Sequence, residues 1–379
     1  MNLYATIHKP SLLLDEEAAR ANIRRMVAKA RAAGVAFRPH FKTHQSAEIG
    51  EWFRAEGVRA ITVSSLDMAA YFAAAGWEDI TLAFSANPRQ AQEIDALARR
   101  VRLGLLVESL ETVELLHERV SAPVDVWIKI DSGSGRTGIL WQKTEEVMRV
   151  ARAVQDTANM RLRGLLTHAG STYAARDPRA AVEVAGTAAS RVCALRAWLE
   201  EAGLDPLLVS TGDTPGCSAA ADFPGVDEIR PGNFVFYDAK QAYAGACRWE
   251  DIAVALACPV VALHPERSEV VVYGGAIHLS TEALEWEGRR IHGLVSLPPA
   301  APSSGGSAPR WELPLAGAYV ARLSQEHGIL HLPAPDLARL RVGDLVCILP
   351  AHSCLTAQCM GSYRTLSNRR VEMMRGDYA

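Results

Sequence analysis

Val101-Arg-Leu-Gly-Leu-Leu-Val107, a stretch of helical period over residues 110–120, and then Val124-Asp-Val-Trp-Ile-Lys-Ile130 read as strand, helix, strand. Alternating β and α elements with short loops imply parallel strands joined by right-handed crossovers. The same unit repeats on either side. Strand-like runs fall at residues 35–38, 58–63, 80–84, 101–107, 124–130, 162–167, 207–210 and 226–230. Stretches rich in Ala, Leu, Glu and Arg lie between most of them, at residues 66–75, 89–100, 110–120, 143–156 and 179–202. Eight such strands over about 225 residues fit a (β/α)8 barrel, with a doubly wound sheet as the alternative α/β arrangement.

Beyond residue 251 the texture changes to short β-rich runs punctuated by Pro and Gly, at residues 252–258, 269–273 and 345–349. The expected organisation is therefore a barrel over residues 13–245 and a β-rich domain over residues 246–379 together with 1–12. Residues 296–310, rich in Pro, Gly, Ser and Ala, read as a mobile loop.

Composition narrows the function. Lys and Arg number 40 against 43 Asp and Glu, so no basic excess points to nucleic acid or to an anionic membrane surface. With neither a signal-like start nor a run of about 18 apolar residues, the expected location is the cytoplasm. The seven cysteines are odd in number and thinly spread, which reads as reduced thiols. Only six of the basic residues are Lys, so a reaction needing an amine has few candidates.

One of these, Lys42, lies in Arg38-Pro39-His40-Phe41-Lys42-Thr43-His44, directly after the first barrel strand. Catalytic groups of such barrels gather on the loops at the carboxyl ends of the strands. A lysine there can condense with an aldehyde once its amine is free. Two more loops, Ser210-Thr211-Gly212-Asp213-Thr214-Pro215-Gly216 and Arg230-Pro231-Gly232-Asn233, follow strands seven and eight, where barrels commonly seat a phosphate on backbone N–H groups. Amine and phosphate loops together describe a site for pyridoxal phosphate. Asp213 fits such a loop only if its carboxylate points away. Gly133-Ser134-Gly135-Arg136-Thr137-Gly138 spells G-x-G-x-x-G, but neither a directly following helix nor an acidic end to the next strand accompanies it, which argues against a dinucleotide. Near the C-terminus, His352-Ser353-Cys354 follows an apolar strand; on an extended segment both side chains would face one ion, and nitrogen with thiolate favours zinc. Cys359 is a weaker third candidate.

These motifs, in this order and with His168-Ala169-Gly170, Tyr173, Tyr237-Asp238 and Glu326-His327-Gly328, resemble the D-serine dehydratase and D-threonine aldolase family, which is of the alanine-racemase fold type. The resemblance implies Lys42 as the catalytic Schiff-base lysine. Tyr173, Thr211, Gly212, Gly232 and Asn233 would hold the cofactor and its phosphate, with Arg136, His168 and Ser210 counted in the same site. His352 and Cys354 would hold an active-site zinc, since His-x-Cys marks the dehydratase branch and His-x-Asp the aldolases. A homodimer acting on a small D-amino acid is implied as well. Gln45 and Asp213 depart from the family pattern and bear on substrate range. The expected reaction is dehydration of a D-3-hydroxy amino acid such as D-serine or D-threo-3-hydroxyaspartate to a 2-oxo acid and ammonia. The alternatives are retro-aldol cleavage in the same pocket and a non-catalytic pyridoxal-phosphate carrier.

Overall fold

The structure, a computed structural model, describes residues 3–299 and 310–374, so most of the Pro- and Gly-rich stretch lies outside the described residues. In chain order the first ten strands are β1 (Ser11–Leu14), β2 (Ala36–Phe37), β3 (Ala60–Val63), β4 (Asp79–Ser85), β5 (Arg102–Val107), β6 (Val124–Asp131), β7 (Ile139–Leu140), β8 (Met160–Leu166), β9 (Leu208–Thr211) and β10 (Glu228–Ile229). The first eight helices are α1 (Glu16–Ala32), α2 (Ala47–Ala55), α3 (Leu66–Ala74), α4 (Ala91–Ala98), α5 (Leu110–Arg119), α6 (Thr144–Gln155), α7 (Pro178–Glu201) and α8 (Thr214–Ala219). The chain divides into two compact units, Arg24–Gly232 and Asn233–Met373 with the N-terminal residues up to Ile23.

The first unit holds eight parallel strands in the order β2-β10-β9-β8-β6-β5-β4-β3. All eight predicted strands are present, and they form a near-closed parallel barrel. Closure comes from the lysine segment itself. β2 pairs with β10, and the chain then meets β3 through a parallel bridge between His40 and Thr62. Thr62 N–H donates to Pro39 O at 2.9 Å, and Phe41 N–H donates to Thr62 O at 2.8 Å. β2 ends early because Pro39 has no N–H to continue a ladder. Below the mouth, buried Arg38 pairs with Asp79 at 2.5 Å and with Glu228 at 2.7 Å.

Several helices are capped as they begin. Ser46, Ser65, Ser109, Asp177 and Asp213 each accept a first-turn backbone N–H, at about 1 kcal/mol apiece.

The second unit is built on β11 (Val254–His264), whose first half pairs with β1 and β18 (Leu345–Pro350) and whose second half pairs with β12 (Glu269–Tyr273). β13 (Leu284–Trp286) and β14 (Arg289–Ile291) form a separate hairpin, while β15 (Gly293–Ser296), β16 (Tyr319–Leu323) and β17 (His327–His331) complete an antiparallel circuit. β19 (Ser362–Thr365) and β20 (Arg370–Glu372) extend it beside β1. The β-rich expectation holds, with short helices between strands. Among the described residues no helix is long and apolar enough to cross a membrane, and none of the seven cysteines forms a disulfide.

Candidate active site

At the carboxyl ends of the barrel strands the structure gathers Lys42, His40, His168, Arg136, Lys129 and Arg230. Lys42 and Arg136 are exposed, and with Arg230 they press on the half-buried imidazole of His40, which desolvation first and these cations next hold well below the ordinary histidine range. His168 donates from Nδ1 to Gly212 O, which leaves Nε2 as a free acceptor. Burial lowers its pKa to about 3, so the ring is neutral at any working pH. Lys129 is 5% exposed, and burial with Arg230 and Arg136 lowers it to about 8. The mouth is a strongly cationic pit containing neutral bases, suited to anions.

The two phosphate-type loops meet in this pit. A Cβ on Gly212 would lie 2.7 Å from the Arg230 backbone, and one on Gly232 would lie 2.9 Å from His40 O, so both close approaches require glycine. Thr214 Oγ1 is buried with no hydrogen-bond partner. Thr214 N–H donates to the Tyr173 hydroxyl at 3.3 Å, and the Tyr173 ring lies 6.1 Å from that of His168. Thr211 is 7% exposed at the end of β9. Ser210 differs from its neighbours: its hydroxyl donates to Glu228 Oε1 at 2.6 Å and accepts from Arg230 Nε at 2.7 Å, which commits it to the barrel wall. Asp213 resolves without conflict. Its carboxylate turns into α8 and accepts from Gly216 N–H at 2.6 Å, and burial raises its pKa to about 6.

The glycine-rich loop after β6 is closed to a dinucleotide for a physical reason. Asp131 Oδ1 accepts from the amides of Gly133 and Ser134, both at 2.8 Å, and from Gly135 at 3.2 Å. The N–H groups that would cradle a phosphate are already satisfied by an internal carboxylate. Burial alone would raise Asp131, but these amides outweigh it and hold the carboxyl below its ordinary range.

The second unit carries the His-x-Cys pair, in a geometry unlike the extended one expected. His352 is the N-cap of a helix, Ser353–Met360, so the pair sits on a helix start and not on alternate positions of a strand. Asp238, fully buried, accepts through Oδ2 from His352 Nδ1 at 3.2 Å, from Ser353 N–H at 3.1 Å and from Asn233 Nδ2 at 2.8 Å. His352 therefore presents Nε2, the arrangement of a metal-ligating imidazole backed by a carboxylate. Burial would lower His352, but Cys354 and Asp238 together raise it to about 10. Asn233, expected at the cofactor, lies here: Nδ2 also donates to Ser353 Oγ at 2.8 Å and to Cys354 Sγ at 3.5 Å, and Oδ1 is buried without a partner. Among the described residues no group of three or more His, Cys, Asp and Glu is gathered for a metal, and Cys359 is exposed.

Sequence reasoning quoted but did not choose Thr214 and Asp238. A Ser, Thr or Asp at the first helical turn was the available signal for both.

Comparison with known proteins places this geometry. Residues 14–240 match the family described as alanine racemase, N-terminal domain, and residues 253–366 match the putative serine dehydratase domain. The chain is 31% identical to D-threo-3-hydroxyaspartate dehydratase of Delftia sp. strain HT23, over 96% of this chain and 95% of that one. It is 27% identical to D-serine dehydratase of Dictyostelium discoideum, over 96% and 94%. The solved Delftia enzyme superposes with a TM-score of 0.88 at 30% identity, covering 99% of this chain and all of that one, and a cysteine-to-alanine variant of D-threo-3-hydroxyaspartate dehydratase has been solved in a metal-free form. Alanine racemase of Corynebacterium glutamicum, at 16% identity and a TM-score of 0.65 over 95% and 98% of the two chains, shares the fold.

Proposed function

We propose a function from the family this chain belongs to: it is a member of the pyridoxal-phosphate enzymes of alanine-racemase fold that carry a serine-dehydratase domain. The chain is a lyase that dehydrates D-3-hydroxy amino acids, yielding a 2-oxo acid and ammonia. Its relatives in that group are named dehydratases, and D-threonine aldolase of Arthrobacter is a partial one, matching 65% of this chain.

The barrel mouth fits the cofactor. Gly212 and Gly232 leave a cradle that a Cβ would fill, and Thr214 Oγ1 waits there without a partner. The surrounding cations suit both a phosphate and a substrate carboxylate. Pyridoxal phosphate supplies, when bound, an electron sink for the charge left on Cα. Lys42 Nζ is the amine that carries the cofactor and the base that removes the Cα proton. His168, fixed by Gly212 O, offers Nε2 as a neutral acceptor at the same mouth. Arg136 lies exposed at the rim, and Tyr173 packs beside His168.

His352 and Cys354 hold a divalent metal, and their nitrogen and thiolate donors select zinc. Zinc supplies Lewis acidity to a leaving hydroxyl, whose conjugate acid otherwise has a pKa of about 15.7. Asp238 orients His352 so that Nε2 is the ligating atom. The carboxylate-backed His-x-Cys pair is the observation that carries dehydration over cleavage. A cytoplasmic location and a homodimer, both read from the sequence, belong to the same proposal.

Purified protein incubated with D-serine, D-threonine and D-threo-3-hydroxyaspartate is expected to release ammonia and a 2-oxo acid, to lose that activity to a chelator and to regain it with zinc. Glycine and acetaldehyde from D-threonine, with no ammonia from any of the three, would establish the aldolase reading instead.

A further inference from the structure

The loop that carries Gly212 and Thr214 runs straight into α8, and this short helix is fixed from both ends. Six residues cannot hold a helix in water unaided, so its position depends on its tethers. At the N-terminal end Asp213 caps Gly216 N–H. Along its side α8 has no slack against α7, because a Cβ on Gly216 would lie 2.6 Å from Ala185 Cβ. At the C-terminal end the tether comes from α1. Lys29 Nζ donates to Cys217 O at 3.2 Å, to Ala220 O at 2.8 Å and to Ser218 O. These are carbonyls of the last turn and just beyond it, where backbone acceptors lack intrahelical partners. Three acceptors converge on one ammonium with three donors.

An arginine would present a planar fork, which cannot meet three carbonyls grouped about one point. Most cationic positions of this chain are Arg, and Lys29 is one of six exceptions. If the ammonium is lost, α8 is released at one end. The loop it anchors then moves, and with it Thr214 Oγ1 and the Gly212 carbonyl that holds His168.

We propose that Lys29 is a positioning residue of the cofactor-phosphate loop, anchoring the far end of α8 so that Gly212 and Thr214 are preset for the phosphate. The inference rests on the barrel-mouth reading above.

The test compares binding of pyridoxal phosphate and of pyridoxal, which lacks the phosphate, to cofactor-stripped protein by absorbance titration. Lys29→Met is expected to weaken pyridoxal phosphate by about tenfold, the scale of a lost charged hydrogen-bond set, and to leave pyridoxal within about twofold. Turnover at saturating cofactor is expected to stay within about twofold of the parent. Lys29→Arg is expected to recover only part of the loss, and Lys143→Met, on an exposed ion pair with Glu146, to lose nothing. Equal affinity of the parent and Lys29→Met for pyridoxal phosphate overturns the proposal. So does an equal loss for both ligands, which would mark a general structural role. Failure of the parent protein to bind pyridoxal phosphate at all overturns the functional reading itself. If Lys29→Met does not fold, Lys29→Gln, which keeps two donors, undergoes the same comparison.

Discussion

Burial pushes histidine the same way in the two units, but its neighbours push it in opposite directions. In the barrel His40 and His168 are half-buried among Lys42, Arg136 and Arg230, so desolvation and neighbouring cations act together to lower both. In the other unit Cys354 and Asp238 overcome burial, and His352 is raised to about 10. One region is built to receive anions while keeping its bases unprotonated, and the other is built to receive a cation. A net charge of −3 conceals both, because the opposed fields nearly cancel in the sum. The largest test of the contrast is Lys42→Ala. It is expected to abolish reducible attachment of the cofactor, read as loss of a pyridoxyl mass after borohydride, and to lower turnover by about a thousandfold. A retained pyridoxyl mass on another peptide would break the assignment of the barrel mouth.

Asp238→Asn probes the other side. The amide keeps a cap acceptor for Gln241 N–H, which Asp238 Oδ1 accepts at 3.0 Å, but removes the charge behind His352. Zinc affinity is expected to fall by about 10- to 100-fold, measured by competition with a chromophoric chelator, while pyridoxal-phosphate affinity stays within about twofold. Loss of both affinities together would show that the two regions are not chemically separate.

How much of this could be read from residues alone follows the range of the interactions. The central barrel strands β5 and β6 were legible because burial along nearly their whole length leaves largely apolar runs, and the loops of Lys42, Gly212 and Gly232 lie where barrels keep theirs. Asp238 was quoted as a letter but given no role. It lies 114 residues from His352, and nothing local in either segment announces the pair. His352 and Cys354 were chosen from an i, i+2 argument that needs an extended strand, whereas the helix begins at Ser353. Asn233 follows the phosphate loop in sequence, yet its amide is spent on Asp238 and Ser353. Asp213 looked awkward because a carboxylate repels phosphate. The hydrogen bond it accepts from Gly216 N–H as the N-cap shows it facing into α8.

The barrel's neutral imidazoles also predict how acid acts on it. His44 and His168 are each held near about 3 by burial, against an ordinary 6.5. The unfolded chain takes up these protons below about 6.5 and the folded chain does not, so the stability they contribute is present above 6.5 and is lost as pH falls toward 3. Each group contributes up to about 1.4 kcal/mol per pH unit in that window. Asp213, raised by burial to about 6, acts with the opposite sign, since the folded state binds its proton first. His44→Gln isolates one term. Urea midpoints of the cofactor-stripped variant between pH 6.5 and 5 are expected to fall less steeply than the parent's, by the equivalent of about one proton. Identical slopes would mean that His44 is protonated in the folded barrel.

The smallest effect separates two adjacent hydroxyls of β9. Ser210 is shared between Glu228 and Arg230 inside the wall, and Thr211 reaches the edge of the mouth. Ser210→Ala leaves Arg230 Nε and one Glu228 oxygen short of a partner in a buried place, a cost of about 1–3 kcal/mol. The melting temperature of cofactor-stripped Ser210→Ala is expected to drop, while its affinity for pyridoxal phosphate changes by no more than about twofold. Thr211→Val should show the reverse, with stability nearly kept and cofactor affinity reduced. If Ser210→Ala loses cofactor affinity while keeping its melting temperature, the hydroxyl is a phosphate ligand and the buried pair with Glu228 and Arg230 is secondary to it. Arg230 decides between these outcomes physically, because its other donors go to the Thr167 and Ser210 carbonyls at 2.6 Å and 3.2 Å and would keep the guanidinium in place without the serine.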